Sequence, residues 1–164
     1  MIRKHEFKDI FLSDSAIICH QVNCMGVMGA GIAKQIKQKY PENFERYKEL
    51  CDEFSYRPEL LLGQCQLTIN SDNTMPLPYT RYITNLFGQV GYGRGNQQTD
   101  LKALFQAFLS LREQSKLIDK YTIAIPYGIG CGLGGAKWSD VYKIIEKVFK
   151  NDERSIVDIY QLQK

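Results

Sequence analysis

The chain has 164 residues, 44% hydrophobic and 24% charged, and its 21 basic and 18 acidic side chains leave a net charge of +3. That length and balance describe a single globular domain, residues 1–164, with enough apolar material to bury a core. No apolar run reaches membrane-span length, and the charge excess is too small to imply nucleic acid by itself, although it suits a small anionic ligand.

The first stretch, MIRKHEFKDIFLSD, is charged and lacks an apolar segment, so a signal peptide is not expected and a cytoplasmic location is the default reading. Ile2 to Phe7 predicts a short strand, and the compact apolar run Ser15 to Gln21 (SAIICHQ) a buried one. A glycine-rich stretch follows, then a helix from about Gly29 to Tyr40. Pro41 suits the first turn of a second helix, where its missing N–H costs nothing. Phe44, Tyr47, Leu50 and Cys51 give that helix one apolar face. Gly63 to Ile69 and Arg81 to Phe87 predict strands. Between them Ser71 to Tyr79 (SDNTMPLPY) is rich in turn formers and is expected as a surface loop. Thr99 is expected to cap a helix in which Leu101, Leu104, Phe105, Phe108 and Leu111 follow helical spacing. Thr122 to Pro126 predicts another buried strand, ahead of a second glycine-rich stretch. Trp138, Val141, Tyr142, Ile145, Val148 and Phe149 predict an amphipathic helix, and Ser155 to Leu162 a closing strand. Such alternation makes an α/β fold, a mostly parallel or mixed sheet with helices on both faces, in which ligands bind beyond the carboxyl ends of the strands.

Five cysteines, Cys19, Cys24, Cys51, Cys65 and Cys131, are odd in number and widely spaced. With no C-x-x-C and no histidine pair at ligand spacing, they read as packing residues in a reducing compartment. No metal and no cofactor are expected.

The chemistry lies in the glycines. Asn23 to Ala33 (NCMGVMGAGIA) places Gly26, Gly29 and Gly31 after a strand and before a helix. Glycine allows positive φ and close ligand approach, and the helix offers free N–H groups and the positive end of its dipole. Ile125 to Gly135 (IPYGIGCGLGG) repeats the arrangement, with five glycines in eleven residues. Two such loops at one sheet edge could clasp a diphosphate with backbone donors and no metal. The P-loop is excluded because no Gly-Lys-Ser or Gly-Lys-Thr occurs. A dinucleotide fingerprint is disfavoured: the order is G-x-x-G-x-G, and a helix starting at Pro41 replaces the expected second strand.

His20 to Cys51, with its N-x-x-G-x-x-G-x-GIA core, resembles the macro domain family, and so does Ile125 to Trp138 (IPYGIGCGLGGAKW). The Asp9-Ile10 pair and the closing Ile159 to Leu162 match family positions too, so the resemblance covers nearly the whole chain. It implies a six-stranded mixed sheet between helices and a site for ADP-ribose. By position, Asp9 would accept from the adenine 6-amino group with the Ile10 N–H nearby. Backbone of Met28, Gly29, Ala30, Gly31 and Ile32, and of Gly128, Ile129, Gly130, Cys131, Gly132 and Leu133, would hold the diphosphate and distal ribose. Asn23 would contact that ribose. Asp9 can also be read as a turn carboxylate, and Asn23 as a brace for its own loop.

The chain looks closest to the branch holding ADP-ribose 1″-phosphate phosphatases and hydrolases of terminal ADP-ribose. It departs from the hydrolases where they use a lysine, here Gln89, and an aspartate, here Gly134. His20 remains as a histidine near the first loop, open to two readings: an acid/base group at the distal ribose, or a hydrogen-bonded histidine at a buried strand end. Cys24 and Cys131 lack a neighbouring base and read as packing, while Tyr92 and Arg94 could cover the distal ribose or its phosphate. The expectation is a monomeric hydrolase acting at C1″ of ADP-ribose, with His20 and Asn23 as its catalytic residues. Its substrate would be the 1″-phosphate or an ADP-ribosyl conjugate of protein or nucleic acid, with no membrane partner. The alternative is a non-catalytic reader or sequesterer of such nucleotides.

Overall fold

The computed structural model describes residues 1–72, 79–117 and 121–162. Six strands, β1 (Ile2–Glu6), β2 (Ile17–Asn23), β3 (Cys65–Asp72), β4 (Tyr79–Gln89), β5 (Tyr121–Pro126) and β6 (Ser155–Gln161), form one sheet in the order β1-β6-β5-β2-β4-β3. All neighbours are parallel except β3 and β4, which pair antiparallel from Cys65↔Leu86 to Asp72↔Tyr79. The sheet is therefore mixed, and most of the expected Ser71 to Tyr79 loop lies outside the described residues. Ser71, Asp72 and Tyr79 themselves belong to the strands, because the β3–β4 ladder continues into that stretch as far as Asp72↔Tyr79.

Four helices cover the sheet: α1 (Gly31–Lys39), α2 (Pro41–Glu53), α3 (Leu101–Gln114) and α4 (Trp138–Phe149). Side chains alternate along a strand, so β2 sends Ile17 and Cys19 to one face and Ile18 and Val22 to the other. On the first face they meet Leu104, Phe108 and Leu111 of α3 and Val141, Ile145 and Phe149 of α4. Phe108 and Phe149 touch edge to face with centroids 6.0 Å apart; burying each ring contributes about 2–3 kcal/mol. On the second face Ile36 of α1 and Tyr40, between α1 and α2, cover Ile18, Ile83 and Ala124 together with Ile10 and Phe11. Tyr47 and Cys51 of α2 cover Val22 and Phe87. Helices thus lie on both faces. No helix among the described residues is long and apolar enough to cross a membrane.

One departure from regularity shapes the molecule. The register pairs β2 with β5 only at Ile17↔Ile123 and Ile18↔Ala124. Beyond these, β2 continues along β4 as far as Asn23↔Gln89, while β5 continues along β6 to Pro126↔Tyr160. The two central strands part toward their carboxyl ends, and both glycine-rich loops leave from the parted ends.

Candidate functional site

The first loop is braced from within. Asn23, at the end of β2, is only 6% exposed. Its Nδ2 donates to the Val27 carbonyl at 2.8 Å, and its Oδ1 accepts from the Met25 N–H at 3.0 Å and the Tyr47 hydroxyl at 2.8 Å. Its observed work is to fold its own loop. Met28 is buried in the core, and Gly29, Ala30 and Gly31 after it are exposed. The helix begins at Gly31 rather than Gly29, because Ala30 is extended (φ −146°, ψ 164°). Among the described residues no side chain caps its first turn, so the N–H groups at Gly31 and Ile32 and the dipole end are open to an anion.

The second loop is held by short turn bonds. Ile129 N–H donates to Pro126, Cys131 N–H to Gly128, Gly135 N–H to Gly132 and Ala136 N–H to Gly130. Among the described residues these bonds leave the N–H groups of Gly130, Gly132 and Leu133 without a protein acceptor. Ile129 is buried, Cys131 half-buried and Leu133 52% exposed. The φ of +73° at Gly128 and at Gly130 is what lets the chain curl so tightly, a conformation costly for any residue with a Cβ.

Between the loops lies a cluster whose central member, Gln21, sequence reasoning did not single out. Gln21, on β2, donates through Nε2 to Gln89 Oε1 at 2.7 Å and to Thr99 Oγ1 at 2.8 Å. Thr99 is not the cap of α3: that role belongs to Asp100, whose carboxylate accepts from the Ala103 N–H. Thr99 instead donates its hydroxyl to the Gly130 carbonyl at 2.8 Å, and its N–H to Gly134. Gly134 has no room for a side chain, since a Cβ there would strike Thr99 Oγ1 and the Gly130 carbonyl. The position that resembles the hydrolase aspartate is therefore closed in this fold, and the lysine-like position, Gln89, holds an amide already engaged with Gln21 and the Gly91 carbonyl.

At the other end, Asp9 caps the short 3-10 turn Ile10–Leu12 by accepting the Phe11 N–H at 2.9 Å on Oδ1. The Ile10 side chain is buried beneath it. This loop is anchored by Arg81, whose guanidinium has no exposed surface. It donates to the carbonyls of Ser13 at 2.9 Å and Ser15 at 2.8 Å, and to Asp72 at 3.0 Å. Asp72 also accepts from the Tyr40 hydroxyl at 2.8 Å.

His20 stands apart from the loops. It lies on the α2 side of β2 with no exposed surface, and Nε2 donates to Asn85 Oδ1 at 2.7 Å. Asn85 donates in turn to Asn43 and Gln66, which fixes its amide and hence the ring tautomer. Burial lowers the His20 pKa to about 4, with the Asn85 bond opposing the shift. The ring faces the helix layer and is uncharged near neutral pH, which favours the reading of a hydrogen-bonded histidine at a buried strand end over that of an acid/base group at the ribose. Burial pushes the Cys24 thiol up to about 12 and raises Cys131 as well, so neither is a ready thiolate. Tyr92 and Arg94 are exposed in the segment after β4.

Comparison with known proteins agrees with this architecture. The Macro domain model matches residues 19–145. A DNA ADP-ribosyl glycohydrolase of Mycobacterium tuberculosis is 29% identical over 142 residues, 87% of this chain. The match covers 37% of that protein, so the chain spans well under half the length of the mycobacterial relative. An ADP-ribose 1″-phosphate phosphatase of Saccharomyces cerevisiae is 29% identical over 170 residues, 92% of each chain. Among solved structures, the macrodomain of Mycobacterium tuberculosis DarG superposes with a TM-score of 0.78 at 26% identity, covering 98% of this chain and 97% of that one. Thermosipho africanus DarTG, solved with ADP-ribose, shares the fold with a TM-score of 0.74 at 23% identity, over 95% of this chain and 40% of that one.

Proposed function

Since this chain belongs to the macro domain family, we propose that it binds ADP-ribose and hydrolyses a bond at C1″ of its distal ribose. One observation carries the binding: the uncapped start of α1 and the unpartnered N–H groups of Gly130, Gly132 and Leu133 border the gap where β2 and β5 part. Backbone donors from Met28 to Ile32 and from Gly128 to Leu133 then hold the diphosphate. Asp9 offers its second carboxylate oxygen to the adenine 6-amino group.

The reaction is supported by the names of two relatives, a phosphatase of ADP-ribose 1″-phosphate and a glycohydrolase of ADP-ribosylated DNA. In both cases water adds, the bond to the C1″ substituent breaks, and the departing group leaves with the proton that water gives up. No side chain at the loops is a strong base, so the bound diphosphate and the loop carbonyls are left to orient and polarise the water. The second reading, a non-catalytic reader of ADP-ribose, is favoured by the buried His20 and by the engaged amide of Gln89.

Calorimetric titration with ADP-ribose tests binding. NMR time courses with ADP-ribose 1″-phosphate and with ADP-ribosylated DNA or protein test turnover. Binding without turnover selects the reader, and absence of binding removes both readings.

A further inference from the structure

The floor of the cleft is a hydrogen-bond relay that runs outward from Gln21 to both walls. Gln89 Nε2 donates to the Gly91 carbonyl at 2.7 Å, which turns its Oε1 toward Gln21. Gln21 Nε2 donates to that oxygen at 2.7 Å and to Thr99 Oγ1 at 2.8 Å, using both N–H bonds of its amide. Thr99 therefore has to send its own proton onward, and it does, to the Gly130 carbonyl at 2.8 Å. Reversing either amide would set donor against donor or acceptor against acceptor. The relay reaches from the Gly91 carbonyl, just after β4, to the Gly130 carbonyl on the loop after β5, and has its middle member, Gln21, on β2, where β2 and β5 have parted. Packing is as restrictive as bonding: among the described residues Gln21 Oε1 is buried without a donor, against Gly88 and Gly130, and a Cβ on Gly130 would come within 2.8 Å of it.

We infer that Gln21, Gln89 and Thr99 are positioning residues that set how the second loop and the segment carrying Tyr92 and Arg94 face each other across the distal ribose. The inference rests on the ADP-ribose reading above. Thr99 holds the second loop at two carbonyls, Gly130 through its hydroxyl and Gly134 through its own N–H. Because a peptide unit is planar, a held carbonyl also fixes the N–H that follows it. Gln89 holds the other wall at Gly91. Among the described residues, the Asp9 end and the start of α1 share no hydrogen bond with the relay. The relay thus governs affinity for the ribose beyond the diphosphate more strongly than affinity for ADP, whose contacts at Asp9 and at the start of α1 lie outside it.

The test compares ADP-ribose with ADP by calorimetry on the wild type and on Thr99→Val, Thr99→Ser and Gln21→Met, each checked by thermal melting. The valine keeps the shape and removes the hydroxyl, while the serine keeps the hydroxyl. The expected result is about a tenfold loss of ADP-ribose affinity in Thr99→Val and Gln21→Met, an ADP affinity within about twofold of wild type, and recovery in Thr99→Ser, consistent with the loss of a buried hydrogen bond. Equal weakening of both nucleotides, or no weakening of either, overturns the positioning role. A wild type that binds neither nucleotide overturns the ADP-ribose reading and the relay's role with it, so the two failures are distinct.

Discussion

His20 and Asn85 meet at 2.7 Å across adjacent parallel strands, directly opposite in register and both without exposed surface. The pairing makes the histidine a liability in acid. Its folded pKa is about 4, below the ordinary 6.5, so between these values the unfolded chain takes up a proton that the folded chain refuses. Stability is full above about pH 6.5 and falls as pH drops toward 4, by about 3 kcal/mol in all. Urea unfolding at about pH 7 and about pH 4.5 should show the loss, and His20→Gln should flatten it. An equal slope in the variant would remove His20 as its source.

Arg81 is the second buried charge to test. Arg81→Met takes the guanidinium away from the buried Asp72 and frees the carbonyls of Ser13 and Ser15. Breaking a buried pair from one side costs about 3–5 kcal/mol. Chemical denaturation should register that loss, and a change under about 1 kcal/mol would mean that water readily replaces the guanidinium.

Asp9→Asn separates the two uses of that carboxylate. The amide oxygen keeps the Phe11 N–H, so the turn survives. The amide nitrogen then faces the base as a donor, opposite the adenine 6-amino group. ADP-ribose should lose about tenfold in affinity, and the hypoxanthine analogue, with an acceptor at that position, should gain relative to it. Calorimetry with both compounds decides it; an unchanged preference would dismiss Asp9 as the reader of adenine.

Gly134→Ala probes the closed position in the second loop. The added methyl meets the Gly130 carbonyl and Thr99 Oγ1, so the loop has to shift. Destabilisation of about 1–3 kcal/mol is expected, with a lower melting temperature. Wild-type melting behaviour would show that the loop has slack.

The elements that sequence revealed are those whose signal is local. Pro41 at the head of α2, the apolar spacing of α3 and α4, and glycines wedged between strand and helix all speak within a dozen residues. The misreadings come from contacts that cross the chain. Gln21 and Thr99 are 78 residues apart, and nothing near either one announces the other. Thr99 and Asp100 are both good caps; the Gly130 carbonyl claims the first, leaving the second. His20 sits on a strand covered on both faces, so alternation could not say whether it looks toward a ligand or a helix. Arg81 reads as a strand end because its partner Asp72 falls in a stretch with the composition of a loop.

The parting of β2 and β5 has a thermodynamic corollary. The cleft is an interruption in a backbone ladder, fixed when the sheet forms and independent of any side chain swinging aside. A ligand entering it meets donors already frozen in place, and little conformational freedom is left to surrender on association. Recognition by such a gap is close to rigid docking, and selectivity among nucleotides then follows from which of them match a spacing the sheet has already set.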